Sequence, residues 1–262
     1  MGKHSLINAL QSRDGSETAV VPRIQRHAVA IEQISDIAVW TEPEAIARSL
    51  RNAQNLYSLD AVTLGDGYNV AVGCRQASSP GLGPLEALIQ STEGAPLVEL
   101  PLPETVIDTP VLNVYLEACK RIKTVLDDRA GVAIVVPDDQ ALQDQLALQE
   151  QSEWAQEVLI HVIRAFGPLE PDLFMFVGTA RQIPTRIRPI INYFGAAIVH
   201  VSTSYIEPGV RCLTTEALNE LPPNPTDEIE RPWLITTSEE VGVGTNVSRL
   251  GEVLHQARVR RG

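Results

Sequence analysis

The sequence predicts an α/β fold, a TIM-type (β/α) barrel formed by a single domain spanning residues 1–262, and three observations predict it. Short apolar runs alternate with amphipathic stretches along the whole chain, roughly seven times by pattern. Several of those runs lack the polar alternation of a half-exposed strand, as expected for parallel strands covered on both faces. The 262 residues are close to the roughly 250 that one such barrel takes. No repeat of fixed period and no low-complexity tract argues for another architecture.

Residues 19–24 form the first β-type run. Thr41, Glu42, Pro43 and Glu44 fit a capping box, a hydroxyl followed three residues later by a carboxylate. Ile46, Leu50, Ala53 and Tyr57 then recur on one helical face. Residues 59–64 are the next strand, broken by Gly65-Asp66-Gly67, and residues 78–84 are a loop by composition. The apolar stretch 96–103 carries three prolines, which argues against a central strand. A helix is expected over 109–128, with Thr109 as cap and Pro110 in its first position. Residues 131–136 are a fully apolar strand. Trp154, Val158, Val162 and Phe166 mark the buried stripe of a long helix. Residues 173–177, 196–201 and 233–236 are further strands, and residues 222–225 a surface loop or linker. Residues 246–260 are a last helix, with Leu250, Leu254 and Ala257 facing inward.

The formal charge is −12, from 33 acidic and 21 basic residues. Such a surface repels phosphate backbones, so no nucleic-acid partner is expected. Cys74, Cys119 and Cys212 are odd in number and far apart, the pattern of reduced thiols in a cytoplasmic protein. No apolar run reaches the roughly 18 residues of a membrane span, and the first residues lack the apolar core of a signal peptide. A small-molecule substrate is the expected partner.

In a barrel, residues following the strands carry the chemistry. Asp66 ends a buried strand between two glycines, where a carboxylate either faces a ligand or bonds its own turn. Tyr68 adds a hydroxyl to that loop. His27 follows the first strand, and its neutral-range pKa suits acid–base work; a satisfied loop histidine is the alternative. His200 lies inside an apolar strand, where a structural histidine competes with a functional one. Glu239 ends the last strand beside Glu240, one of the two being solvated or capping and the other facing the pocket. Arg181 follows another strand and is a candidate to bind a substrate carboxylate. Asp138 and Asp139 read as caps of the next helix.

Val21-Pro22, Glu42-Pro43-Glu44, Leu59-Asp60-Ala61-Val62, Asp66 and Ala71-Val72-Gly73-Cys74 follow one another along the chain. In these motifs and their order the chain resembles the uroporphyrinogen decarboxylase superfamily, as a shortened and divergent member. Ala197-Ile198-Val199-His200-Val201-Ser202 looks like its Leu-His-x-Cys strand. Trp233 to Glu239, followed by Gly244-Thr245-Asn246-Val247, looks like its last strand and turn. The segment between Ser202 and Trp233 is shorter than the family's.

The resemblance implies a barrel enzyme, either a decarboxylase or a methyltransferase using a corrinoid or thiol methyl donor, and a homodimer. It implies that Asp66 stabilises a substrate cation, and that Arg23 and Arg26 stand near the arginine loop that grips acidic groups, at a different spacing. The methyltransferases hold zinc through a His-x-Cys pair and a later cysteine. Here those positions read His200, Ser202 and Glu239, without thiolates, so no metal and no cofactor are expected. The leading expectation is a small-molecule lyase of the decarboxylase type. Asp66, His27, His200 and Glu239 are its catalytic candidates, with Arg23, Arg26, Tyr68, Arg181 and Ser202 binding substrate. Methyl transfer is the alternative, and a repurposed isomerase, cyclase or binding barrel the third reading.

Overall fold

The computed structural model describes residues 2–202, 208–214, 232–242 and 244–259, with side chains to residue 256. The chain opens with α1 (Lys3–Ser12), β1 (Ala19–Val20), α2 (Gln25–Ile31), α3 (Ala38–Thr41), α4 (Pro43–Tyr57) and β2 (Ala61–Leu64). There follow α5 (Asn69–Ser78), α6 (Pro84–Thr92), a 3-10 turn (Pro103–Asp108), α7 (Pro110–Leu126) and β3 (Gly131–Pro137). The remainder is α8 (Asp139–Gln145), α9 (Ser152–Phe166), β4 (Leu173–Gly178), α10 (Ile187–Tyr193), β5 (Ala197–Ser202), β6 (Val210–Leu213), β7 (Leu234–Thr237) and α11 (Val247–Val259).

All strand pairings are parallel. One sheet runs β1-β7-β6 and the other β2-β3-β4-β5. A single backbone bond, Asp60 N–H to the Val20 carbonyl (3.2 Å), joins β1 to β2. The strands thus follow one another in chain order from β1 to β5, and β7 lies between β6 and β1. Among the described residues β5 and β6 are not paired.

Alternation along the strands separates two cores. Ala133, Val135, Leu173, Met175, Val199, Val201, Val210 and Leu234 join Ala19 and Ala61 in an inner cluster to which all seven strands contribute. Val62, Ile134, Val136, Phe174, Phe176 and Ile235 face the other way, into the helices. Helix α4 presents Ile46, Leu50, Ala53 and Tyr57 to this outer layer, as the period requires. Burying each of the larger aliphatic chains stabilises the fold by about 2 kcal/mol.

Helix α1 closes the amino-terminal end of the inner core. Leu6 and Ala9 pack into the inner cluster, and Gly2 N–H donates to Asp60 Oδ1 at 3.2 Å. Arg13, just after α1, stacks 4.9 Å from the centre of the Trp233 ring and donates to the Ile198 carbonyl at 3.3 Å. With that end sealed, the polar space lies at the carboxyl ends.

Several expectations change. Thr41 ends α3 and donates to the Ile37 carbonyl (3.0 Å), so α4 begins at Pro43 with Glu42 as its cap and no capping box forms. Residues 25–31, read as the loop after the first strand, are helical, and the Ala71–Cys74 motif lies within helix α5. Asp138 does cap α8, its Oδ1 accepting from Ala141 N–H at 2.7 Å. The stretch 96–103 contains no strand. The expected linker at 222–225 and the inward Ala257 lie outside the described residues and side chains.

Candidate active site at the carboxyl ends of the strands

The turn after β2 sets the site. Gly65 has φ +102°, and a Cβ there would stand 2.7 Å from the Val135 carbonyl oxygen. Only glycine takes that backbone without strain. Gly65 N–H donates to Gln25 Oε1 (2.7 Å), and Gln25 Nε2 donates to the Tyr115 hydroxyl (2.9 Å), which ties the turn to α2 and α7. Burial pushes the Tyr115 phenol well above its usual range. Gly67 (φ +93°) lets the loop pass Val177, whose Cγ2 would lie 2.9 Å from an added Cβ.

Between these glycines Asp66 is 3% exposed. Its Oδ1 accepts from Tyr68 N–H at 2.9 Å. Its Oδ2 accepts from Arg26 Nε (3.1 Å) and Nη2 (2.8 Å). The aspartate thus bonds its own turn, and it also borders a cavity. Arg23 crosses the same region, donating from Nη2 to the Asp66 carbonyl (2.8 Å) and from Nη1 to the Ser238 carbonyl (3.0 Å). It thereby stitches the ends of β2 and β7 together.

These groups border a cavity of about 290 Å³. Arg23, Asp66, Tyr68, Ser202, Cys212 and Ser238 bring polar groups to its lining. Val177 and Val201 supply apolar wall, while Gln145 and Thr179 complete the polar rim. The volume lies near the lower end of small-molecule sites. Burial pushes the Cys212 thiol up to about 11, which keeps it protonated at neutral pH.

Four of the nine expected site residues line this cavity: Arg23, Asp66, Tyr68 and Ser202. Arg26 reaches it through Asp66. The others stand apart. His27 is 1% exposed in α2, with Nε2 2.8 Å from the Tyr57 hydroxyl and Nδ1 3.3 Å from the Gly242 carbonyl. A carbonyl accepts only, so Nδ1 carries the proton and Nε2 accepts from Tyr57. Burial lowers the His27 pKa, holding the ring neutral. His200 is buried in β5, its Nε2 3.4 Å from Asp138 Oδ2, a link between β5 and the start of α8. Arg181 and Glu239 are exposed.

Of the acidic pair Glu239 is exposed and Glu240 turns inward toward Arg23 and Arg26, and neither lines the cavity. Glu240 accepts from Arg26 N–H at 2.9 Å and lies 4.0 Å from Arg23 Nε, its side chain only 12% exposed. Burial raises its carboxyl pKa to about 7, partly opposed by Arg23 and Arg26. Sequence reasoning also passed over Gln145, Thr179, Cys212 and Ser238. The carboxyl ends of β4 and β7 pointed to Thr179 and Ser238; a four-residue β6 gave no comparable signal for Cys212.

A thiolate zinc site of the family type does not fit this chain. Ser202 and Glu239 replace the soft donors, and His200 is turned to Asp138. Among the described residues no group of three or more His, Cys, Asp or Glu side chains is placed to hold a metal ion.

No protein-family profile and no curated protein sequence matches the chain. Among solved structures it is similar to a methyltransferase from Methanosarcina mazei, with a TM-score of 0.70, 15% identity and 98% of each chain covered. At that identity the likeness is one of fold, and it extends over the whole α/β architecture.

Proposed function

We propose that this chain is a small-molecule methyltransferase of the uroporphyrinogen decarboxylase superfamily, built as a (β/α) barrel with its substrate in the cavity beside Asp66. The observation that carries the reading is the end-to-end likeness to a methyltransferase, joined to a cavity at the carboxyl ends of the strands, where folds of this kind place their chemistry. The motifs at Val21-Pro22, Asp66 and Ala71-Val72-Gly73-Cys74 support the superfamily.

The decarboxylase reading ranks second on electrostatic grounds. Stabilising a substrate cation needs a carboxylate whose charge is aimed at the substrate. Both Asp66 oxygens are engaged, and Arg26 neutralises the charge. In the proposed reading Asp66 positions the Tyr68 loop and Arg26. The hydroxyls of Tyr68, Ser202 and Ser238 orient a polar acceptor, while Val177 and Val201 limit water. Activation of the acceptor proceeds without a thiolate zinc centre of the family type.

The test incubates purified protein with methylcobalamin or an S-methyl donor and a panel of small thiols and amines. Methylated product is read by mass spectrometry. Product formed in proportion to enzyme supports the reading. Carbon dioxide release from carboxylated substrates, with no methylation, would restore the lyase. The homodimer belongs to the same proposal and is checked by light scattering.

A further inference from the structure

A second cavity lies among helices α2, α3 and α6. It encloses about 240 Å³. Val39 and Trp40 of α3 and Leu85 and Leu88 of α6 wall it, with Arg26 and the exposed Asp36 as its polar members. Val39 and Trp40 are almost fully buried, at 5% and 3%.

Arg26 lines this cavity and bonds a residue of the first. Its Nε and Nη2 are spent on one oxygen of Asp66, which lines the first cavity. Its Nη1 makes no hydrogen bond to the described residues, and 41% of the side chain is exposed. A guanidinium end without a partner, set at the edge of an apolar cleft, recognises an acceptor and favours an anionic one. The walls recognise hydrocarbon, and the Trp40 indole suits a planar ring. Asp66, Glu240 and Asp36 all repel the same anion, so its recognition rests on the direct contact with Nη1 rather than on net charge.

We propose that this cleft binds a small apolar anion, an aromatic carboxylate or sulfonate, with its acid on Arg26 and its ring against Trp40 and Leu88. The site is distinct from the transfer cavity and does not depend on which group is moved there. The two are linked, because the guanidinium that would hold the acid also bonds Asp66.

The test uses 2-naphthoate and the uncharged 2-naphthalenemethanol as probes of the intact chain. Binding is followed by the Trp40 indole N–H resonance, assigned with Trp40→Phe. Naphthoate should shift that resonance saturably at one equivalent, and bind about tenfold more tightly than the alcohol, roughly one charge-assisted bond. Arg26→Gln should erase the difference between the probes while leaving the alcohol bound. Leu88→Asp should abolish both. In Arg26→Gln the bound alcohol is the control for folding, and thermal unfolding supplies that control for Leu88→Asp. Equal affinity for the two probes in the wild type, an undiminished preference in Arg26→Gln, or no shift at Trp40 would overturn the proposal.

Discussion

Glu240 gives the chain a pH dependence whose sign and size follow from its surroundings. Its carboxyl rises from an ordinary 4.5 to about 7, chiefly through burial, with Asp66 adding to the rise and Arg23 and Arg26 opposing it. Below pH 4.5 the group is protonated in both folded and unfolded chains and does not distinguish them. Between 4.5 and 7 the unfolded chain loses the proton while the folded chain keeps it, so stability falls as pH rises. Above 7 both forms are ionised and the loss levels off. A rise of about 2.5 units at 1.36 kcal/mol each gives a total of about 3 kcal/mol. Glu240→Gln removes the titration, so denaturant unfolding of both proteins from pH 4.5 to 8.5 isolates it. The difference in unfolding free energy, wild type minus variant, should fall by about 3 kcal/mol across that window, or roughly 6–12 °C in Tm. Asp66→Asn removes a negative neighbour and should move the midpoint down. A difference that is flat with pH, or that rises with it, would refute the burial of this carboxyl between Arg23 and Arg26.

Three further outcomes are expected. Asp66→Asn should leave the fold intact at a cost of about 1–3 kcal/mol, the loss of one charged partner from a buried pair, and should lower turnover through a displaced Tyr68 loop; near wild-type activity would remove Asp66 from the mechanism. Gly65→Ala meets both a positive φ and a backbone oxygen at 2.7 Å, so calorimetry should show a loss of at least about 2 kcal/mol. Zinc titration followed by elemental analysis should find no stoichiometric site, since no three His, Cys, Asp or Glu side chains converge among the described residues; one tightly held zinc per chain would contradict this.

Much of the scaffold was legible because its periodicities are strong. The strands β3, β4 and β5 are near-continuous apolar runs, and α4, α7 and α9 carry clear buried stripes. Helix α1 was missed: it is mostly polar, has no capping side chain, and is held by inserting Leu6 and Ala9 beneath the strands. Helix α5 was missed because Gly73 interrupts its pattern, and its burial comes from tertiary contact rather than from a stripe. The site divides in the same way. Asp66, Tyr68 and Ser202 follow or end strands, so topology alone delivers them to the cavity. His27 and His200 were chosen for imidazole chemistry, which says nothing about which face of a strand or helix a side chain occupies; both face the outer layer. Glu239 and Glu240 lie just past β7, which ends at Thr237, where strand alternation no longer says which of two neighbours turns inward.

The central claim is that methyl transfer takes place in the cavity bordered by Asp66, Ser202 and Cys212. Thr179 lines it while remaining exposed, so Thr179→Trp fills the space with little demand on the core. The decisive measurement is transfer of an isotopically labelled methyl group by wild type and by Thr179→Trp, with thermal unfolding confirming that the variant is folded. The account predicts labelled product from the wild type and at least about a hundredfold loss in the variant, on the order of 2.7 kcal/mol in the barrier. No product from the wild type, or equal product from both, would contradict it.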